Sequence, residues 1–265
     1  MIEVENLSVD IAGRRILDGI GFSVQPGQVT VVIGPNGSGK STLMKALCRD
    51  HAFSGSVRIN GQDITKISVA SAATMRAVLP QSSTLPFPFT VREVVALGMI
   101  AGRSGVPVSA LERLPDEALA RVDLDGFGGR FYGELSGGEQ QRVQLARVIC
   151  QVWLPVLDGM PRYLFLDEPV SSLDIKHQLL IMDVARRFAA SGGGVIAILH
   201  DLNLASMFAD QVLAIRDGRV AGVGTPAQVL TDQLIGRVFD CTMRVGVVPA
   251  AHIPFVLPQS AAMSL

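Results

Sequence analysis

The sequence has few cysteines, few aromatic residues and no marked excess of either charge. Among its 265 residues, three are cysteines and 5% are aromatic, and 23 basic against 24 acidic residues give a net charge of -1. The cysteines Cys48, Cys150 and Cys241 are odd in number and far apart, which argues against a disulfide framework and against a zinc site. The balanced charge gives no indication of nucleic-acid binding, so we expect no nucleic-acid partner.

Long apolar runs are also missing. Apolar residues make up 48% of the chain, yet no run approaches the roughly 18 residues that a membrane-spanning helix needs. The longest runs, such as residues 29–33 and 195–199, have the length of strands. The first residues contain no basic region followed by an apolar stretch, so we expect no signal peptide. Together with the unpaired cysteines, this predicts a folded protein of a reducing cytosol.

The order of the predicted elements indicates an α/β fold. The first ninety or so residues are β-rich, with strands predicted at 2–9, 16–24, 29–33 and 56–60 and a helix at 42–48. A helical insertion is predicted over about residues 82–160, with helices at 91–98, 111–124 and 137–151. Strands then alternate with helices, which predicts a mostly parallel sheet: strands at 163–166, 195–199 and 212–216, helices at 175–190 and 202–208. We expect one domain over residues 1–240 and a short tail over 241–265.

Residues 34–42 match the phosphate-loop pattern G-x-x-x-x-G-K-[ST] between a predicted strand and a predicted helix, the context that the motif requires. The candidate nucleotide-binding residues are Gly34, Pro35, Asn36, Gly37, Ser38, Gly39, Lys40, Ser41 and Thr42. Glycines let successive N–H groups point at phosphate oxygens, and the helix N-terminus adds partial positive charge. Lys40 would reach the β- and γ-phosphates, and the Ser41 hydroxyl would bind Mg²⁺.

A second candidate lies at residues 163–168, where an apolar run ends in Asp167 and Glu168. The carboxyl end of a parallel strand faces the ligand edge of the sheet, so Asp167 would lie beside the phosphate loop and hold Mg²⁺. Glu168 would point the other way and polarise the water that attacks the γ-phosphate. A strand end that is merely solvated is the alternative, and the phosphate loop argues against it.

Residues 135–142, Leu-Ser-Gly-Gly-Glu-Gln-Gln-Arg, resemble the signature motif L-S-G-G-Q-x-Q-R of ATP-binding cassette (ABC) ATPases, with Glu139 where glutamine is usual. In the expected order, Gln81 resembles the Q-loop glutamine, residues 171–174 resemble the D-loop, and His200 resembles the switch histidine. The resemblance covers about residues 1–239. It implies the fold of a P-loop NTPase of the ABC type, with a β-rich N-terminal part and a helical insertion.

The resemblance also implies a mechanism shared between two copies of the chain. Two ATP molecules would be sandwiched in a two-fold dimer, each also touched by the other chain's Ser136, Gly137, Gly138, Glu139 and Asp174. Glu168 and His200 would be catalytic, with His200 binding the γ-phosphate and orienting the water. Gln81 would sense Mg²⁺ and the water, and would link the site to the helical insertion. The implied cofactors are ATP and Mg²⁺.

Two segments resemble those of importers. Residues 86–98 are similar to the segment after the Q-loop in importers of siderophores, haem and cobalamin, and the long connection 149–162 resembles haem (hemin) import ATPases. This implies a transmembrane permease dimer, indirectly a periplasmic substrate-binding protein, a peripheral place on the cytoplasmic face of the inner membrane, and haem as cargo. A ferric siderophore or cobalamin is the alternative. Leu85, Phe87 and Phe89 either line the permease groove or belong to the core.

Two details depart from the family pattern or invite another interpretation. No aromatic residue stands near position 11, where the family stacks one on adenine, so Ile11 or the guanidinium of Arg14 or Arg15 would replace it. His177 lies on a predicted exposed helix, and we interpret it as a surface histidine and not a haem ligand. A non-transport ABC ATPase acting on nucleic acid or ribosomes, an exporter ATPase and a non-catalytic cassette are the less favoured functions.

Overall fold

The computed structural model describes residues 1–81, 87–101, 103–250 and 252–261. The strands in these residues are β1 (Ile2–Ile11), β2 (Arg14–Val24), β3 (Val29–Ile33), β4 (Ser54–Ile59), β5 (Gln62–Asp63), β6 (Arg76–Leu79), β7 (Val156–Leu157), β8 (Met160–Pro161), β9 (Tyr163–Asp167), β10 (Gly194–Ile198), β11 (Gln211–Arg216) and β12 (Arg219–Gly224). The α-helices are α1 (Lys40–Cys48), α2 (Val69–Met75), α3 (Val91–Ala101), α4 (Val108–Leu111), α5 (Leu114–Arg121), α6 (Gly137–Gln151), α7 (Ile175–Ala190), α8 (Leu202–Phe208), α9 (Pro226–Val229) and α10 (Asp232–Phe239).

A six-stranded sheet in the order β12-β11-β3-β10-β9-β6 forms the centre of the fold. All its pairs are parallel except β11 with β12, so the predicted mostly parallel sheet is confirmed. Alternate side chains of each strand enter different cores: Val31 faces the helices, and Val32 faces the N-terminal sheet. Burial on both faces explains why β3, β9 and β10 read as continuous apolar runs.

The predicted β-rich N-terminal part is an antiparallel sheet in the order β2-β1-β4-β5. Its buried side chains, among them Ile2, Leu7 and Ile20, form one core with α1 and with Phe165 of the central sheet. This layer holds α1 against the sheet, because Leu43 and Leu47 of α1 belong to the same core.

The other face of the central sheet is covered by helices, including the predicted helical insertion. There α6 packs against α3 and α5. A side chain at Gly98 of α3 would overlap the carbonyl oxygen of Arg147 in α6, so the two helices approach closely only because residue 98 is glycine.

One predicted helix is wrong in its extent. Residues 111–124 do not form a single helix: α4 ends at Leu111 and α5 begins at Leu114. Pro115 stands in the first turn of α5, where its missing N–H group costs nothing. A proline continuing a helix from residue 111 would instead break it.

The long connection 149–162 contains a hairpin that the sequence analysis did not predict. Strands β7 and β8 pair antiparallel around Asp158 and Gly159, which have φ angles of 51° and 74°. Positive φ at both central residues is the type I′ geometry that Asp-Gly favours. After the hairpin, the guanidinium of the buried Arg162 donates to the carbonyl oxygens of Leu154, Arg103 and Ser104.

The C-terminal tail lies on the surface near α8. Over the described residues 241–250 and 252–261 it forms no strand, and it has a short 3-10 turn at Pro258–Ser260. The Gln259 amide donates to Asn203 Oδ1 at 3.3 Å. In the described parts of the chain, none of the helices combines the length and the apolar character needed to cross a bilayer.

Candidate nucleotide site

The phosphate loop follows β3 and ends where α1 begins at Lys40, which is the predicted strand–loop–helix order. Gly34 turns the chain with a φ of 154°. A side chain there would overlap the carbonyl oxygen of Ile215 in the neighbouring strand β11. The phosphate loop therefore packs closely against the main chain of β11 at the end of the sheet, where its N–H groups can reach a phosphate group.

Lys40 has a buried side chain at the centre of this loop. Its ammonium donates to the carbonyl oxygens of Gly34 and Pro35 at 2.9 Å each. Burial lowers the pKa of Lys40, and the negative charges of Glu168 and Asp167 partly oppose that shift. The cation is thus held at the loop, where it could offset the charge of a bound phosphate.

Asp167 is the last residue of β9 and is also buried. Among the described residues, its Oδ1 has no hydrogen-bond partner. Burial raises the pKa of Asp167 and Glu168 raises it further, while Lys45, Lys40 and the Ser41 hydroxyl oppose the shift. An unpaired carboxylate oxygen beside a hydroxyl is the oxygen donor set that Mg²⁺ takes. Ser41 and Asp167 therefore fit the ion that the sequence analysis assigned to them.

The three predicted catalytic residues meet at the end of three adjacent strands. Glu168 Oε1 lies 2.7 Å from His200 Nε2, and Glu168 Oε2 accepts a hydrogen bond from the Gln81 amide at 2.8 Å. Gln81 follows β6, Glu168 follows β9 and His200 follows β10, and these strands are neighbours in the sheet. Parallel strands thus bring together residues that are far apart in the chain.

The backbone directs the two neighbouring carboxylates to different places. Glu168 adopts a left-handed conformation with a φ of 51°, which is uncommon for a residue with a side chain. As predicted, Asp167 and Glu168 diverge: Asp167 lies near Ser41, and Glu168 contacts Gln81 and His200. Strained backbone of this kind persists where the surrounding structure enforces it, often at functional sites.

One residue of this cluster had no predicted role. The Gln141 amide on α6 donates to the Glu168 carbonyl oxygen at 3.1 Å, and the Ser171 hydroxyl donates to the same oxygen at 3.2 Å. Gln141 belongs to the signature segment 135–142, but the sequence analysis assigned it no role. The packing of α6 against the turn after β9 could not be predicted from the sequence, because that contact depends on tertiary structure.

The signature segment begins α6 with a capping box. The Ser136 N–H donates to Glu139 Oε2 at 2.8 Å, and the Glu139 N–H lies 3.4 Å from Ser136 Oγ. This pair satisfies N–H groups that the helix start leaves free. Hydrogen bonds from Ser136 hold the pKa of Glu139 below its usual range. Glutamate at position 139 therefore performs the capping that the usual glutamine would also perform.

The polar contacts of Asp174 and of the signature residues 136–139 lie away from the phosphate loop. In the described ranges, neither Asp174 nor any of these residues forms a hydrogen bond or ion pair with residues 34–42. Asp174 is the N-cap of α7, and its side chain is 67% exposed. A single chain thus assembles the phosphate loop with Gln81, Asp167, Glu168 and His200, and leaves Asp174 facing outward.

The β1–β2 hairpin carries the residues that were candidates for contact with the base. Ile11 is 38% exposed near the turn. Arg15 forms ion pairs with Asp10 at 2.7 Å and with Asp18 at 3.2 Å. The main chain of Asp18 is bonded to Gly218, and Gly218 to Ser38 of the phosphate loop. The hairpin is therefore connected to the loop through main-chain hydrogen bonds, and the exposed Arg15 guanidinium is paired with acidic side chains.

A phosphate loop after β3, a buried aspartate at the end of β9 and a Gln–Glu–His cluster define the class of P-loop nucleoside triphosphatases. Residues 17–171 match the family described as ABC transporter. The chain belongs to the ABC transporter family and is one of its ATP-binding subunits.

Several named relatives cover nearly the whole chain. A protein of Mesorhizobium japonicum named hemin import ATP-binding protein HmuV is 64% identical over 98% of this chain and 99% of its own length. A protein of Rhizobium meliloti with the same name is 57% identical over 99% of this chain and 100% of its own length.

Solved structures share the fold. The ATP-binding subunit of an ABC transporter aligns with a TM-score of 0.76 and 24% identity over 91% of this chain and 94% of its own. CbiO1 of Clostridium perfringens, described as part of the ABC transporter complex CbiONQ, aligns with a TM-score of 0.70 and 26% identity over 89% and 92%. The predicted ABC-type α/β fold is confirmed.

Proposed function

We propose that this chain hydrolyses ATP to energise the import of haem (hemin) through a partner permease. The observation that carries the ATPase part is the contact of Glu168 with both Gln81 and His200, next to the phosphate loop. The cargo rests on the names of full-length relatives, which are called hemin import ATP-binding proteins.

The chemistry assigns one role to each group. The phosphate loop and Lys40 bind the phosphates of ATP, and Ser41 and Asp167 would hold Mg²⁺, which when bound offsets phosphate charge. Glu168 accepts a proton from the attacking water as general base. Gln81 and His200 hold the Glu168 carboxylate from two sides and orient the water with it.

A dimer of this chain would complete the site. Asp174 is exposed, and the start of α6 at Gly137 carries the positive end of a helix. These are the groups that would reach the nucleotide of a second copy, with Ser136, Gly138 and Glu139 at the same helix start. The half-site of one chain supports this arrangement, because within the described residues its own phosphate loop makes no polar contact with these groups.

The permease would dock beside the Q-loop. Phe87 is 68% exposed and meets Phe89 edge to face, with ring centroids 6.2 Å apart. Phe89 packs against the core, so Phe87 is the better candidate for the groove. Leu85, the third predicted groove residue, lies outside the described residues. Docking on a permease would place the chain on the cytoplasmic face of the inner membrane, with a periplasmic binding protein as an indirect partner.

The experiment is a cargo test on the intact complex. The tagged chain is captured from detergent-solubilised native membranes, and the complex is placed in proteoliposomes with its binding protein. ATP hydrolysis is then compared with hemin, with a ferric siderophore and with cobalamin. Stimulation by hemin alone is expected, with the Glu168→Gln complex as control. Stimulation only by a siderophore or by cobalamin would replace the cargo, and recovery of soluble partners only would contradict the transport function.

A further inference from the structure

His177 lies between two carboxylates, which the interpretation as a surface histidine did not anticipate. Its side chain is 17% exposed. Nδ1 is 2.8 Å from Asp174 Oδ1, and Nε2 is 3.3 Å from Asp123 Oδ2. The helix α7 is confirmed over 175–190, but this face of its first turn is not a free surface.

The two carboxylates belong to different parts of the chain. Asp174 ends the D-loop and caps α7, and its Oδ1 also accepts the His177 N–H at 2.9 Å. Asp123 follows α5 in the helical insertion and also pairs with Lys176 at 2.6 Å. The Asp123 carbonyl oxygen accepts from the Arg142 guanidinium at 2.7 Å. The His177 ring therefore joins the D-loop to the helical insertion.

The donor chemistry of the ring is specific. An ionised carboxylate only accepts hydrogen bonds, so a ring nitrogen bonds its partner only when it carries a proton, and both contacts are hydrogen bonds at once only in the imidazolium form. Hydrogen bonds from the His177 N–H and ring hold the pKa of Asp174 below its usual range. Hydrogen bonds from Lys176 and then from His177 do the same for the pKa of Asp123, and the charge of Arg142 acts in the same direction on both acids. Both acids are therefore held as acceptors, and Asp174 Oδ1 is fixed by two donors while the carboxylate remains exposed.

We propose that His177 is a positioning residue: its Nδ1 holds the Asp174 carboxylate in the orientation that meets a second copy of the chain, and its Nε2 anchors the ring on Asp123. This inference rests on the proposed two-chain ATPase mechanism. His177 would not touch ATP itself, so its loss should leave ATP binding by the single chain unchanged and weaken ATP-dependent pairing of two chains.

Two substitutions separate the two ring nitrogens. In His177→Asn the amide can take the place of Nδ1, and in His177→Gln it can take the place of Nε2. Both variants keep the backbone N–H that caps α7. His252→Asn, at an exposed histidine of the tail, is the matched control. Each is made in the full-length chain, alone for ATP turnover and with Glu168→Gln for dimer formation.

In the Glu168→Gln background, we expect the His177→Asn variant to form dimers at an ATP concentration within about twofold of the one that Glu168→Gln alone requires. His177→Gln should need about tenfold more ATP, the effect of losing a charge-assisted hydrogen bond. Affinity of the monomer for a fluorescent ATP analogue and the Tm should stay unchanged in both. Equal behaviour of the two variants, or a parallel loss of monomer affinity or Tm, would overturn the positioning role. Failure of Glu168→Gln itself to pair would instead contradict the proposed function.

Discussion

Two regions use charged residues in opposite ways. One is the ligand edge of the sheet, meaning the carboxyl ends of its central strands with Asp167 and Glu168, and the other is the connection 149–162. At the ligand edge, Asp167 is buried with an oxygen that has no partner among the described residues, and Glu168 has strained backbone. In the connection, Arg162 is equally buried, but its guanidinium donates to several main-chain carbonyl oxygens. The first region keeps unsatisfied groups for a ligand, whereas the second satisfies its cation internally. Between these two regions, the unsatisfied carboxylate oxygen, and not buried charge as such, distinguishes the candidate site.

The substitution Glu168→Gln should have the largest effect, which is the loss of ATP hydrolysis at the ligand edge. It preserves the shape of the side chain and removes the general base, so steady-state phosphate release should fall by about 10²–10⁴-fold. ATP affinity should change little, because Lys40 and the loop are untouched. Phosphate release and equilibrium ATP binding are the measurements. Turnover within tenfold of the parent would remove Glu168 from its assigned role.

The substitution Arg162→Ala should destabilise the connection 149–162 without changing the nucleotide site. It leaves several buried carbonyl oxygens without a donor, which should lower the free energy of unfolding by about 3 kcal/mol. Burial lowers the pKa of Arg162 to about 10, so at neutral pH the group is still charged. Arg162→Lys, which keeps the charge but loses the planar donor set, should fall in between.

Denaturant unfolding measures the Arg162 effect, and ATP binding by the folded fraction is the control. A variant that binds ATP poorly while remaining fully stable would show that the connection is part of the site, and the contrast between the two regions would fail.

The substitution Asp167→Asn should make the folded protein more stable in the absence of a ligand. The pKa of Asp167 is raised in the fold, so above its unfolded-state pKa the ionised form lowers stability, and that loss is complete once the pH exceeds the folded pKa. Asparagine removes it. We therefore expect the variant to have a higher Tm than the parent at neutral pH.

The Asp167→Asn gain should shrink as the pH falls below the folded-state pKa. Tm is measured from acid to neutral pH without nucleotide, with Asp183→Asn on α7 as a comparison. A variant less stable than the parent at neutral pH would show that Asp167 serves the fold and not a ligand.

The smallest effect is expected for Glu139→Gln. Glutamine can still form the capping box, and it removes a negative charge from the helix start that would meet the γ-phosphate of a second chain. The ATP concentration for half-maximal turnover should fall by about two- to threefold, the effect of one partly screened charge, with Tm unchanged. A higher ATP concentration for half-maximal turnover, or a lower Tm, would show that the charge of Glu139 itself is needed.

The sequence predicted the ligand edge well because its motifs lie where parallel strands end. Once β6, β9 and β10 are adjacent, Gln81, Glu168 and His200 must meet. The ends of β9 and β10 could be located from apolar runs, whereas β6 was not predicted and Gln81 was identified from its motif alone. Helix boundaries were less secure. The break before α5 follows from Pro115, whose preference for a first turn outweighed the apolar periodicity across residues 111–124.

The contacts that the sequence did not predict are long-range ones between polar side chains. Asp158-Gly159 was a visible turn signal for the β7–β8 hairpin, so that hairpin could have been predicted. The positions of Arg162, Gln141 and His177 could not. Each is a polar residue whose partners lie on other elements, and no local pattern distinguishes it from a solvated side chain.

The most direct test of the central claim is the mass of the Glu168→Gln chain in solution with MgATP, measured by light scattering. The parent chain and a Glu168→Gln, Lys40→Ala double variant serve as controls. We predict that Glu168→Gln changes from monomer to dimer only when ATP is present, and that the double variant stays a monomer. A Glu168→Gln chain that binds ATP and remains a monomer would contradict the shared two-chain site.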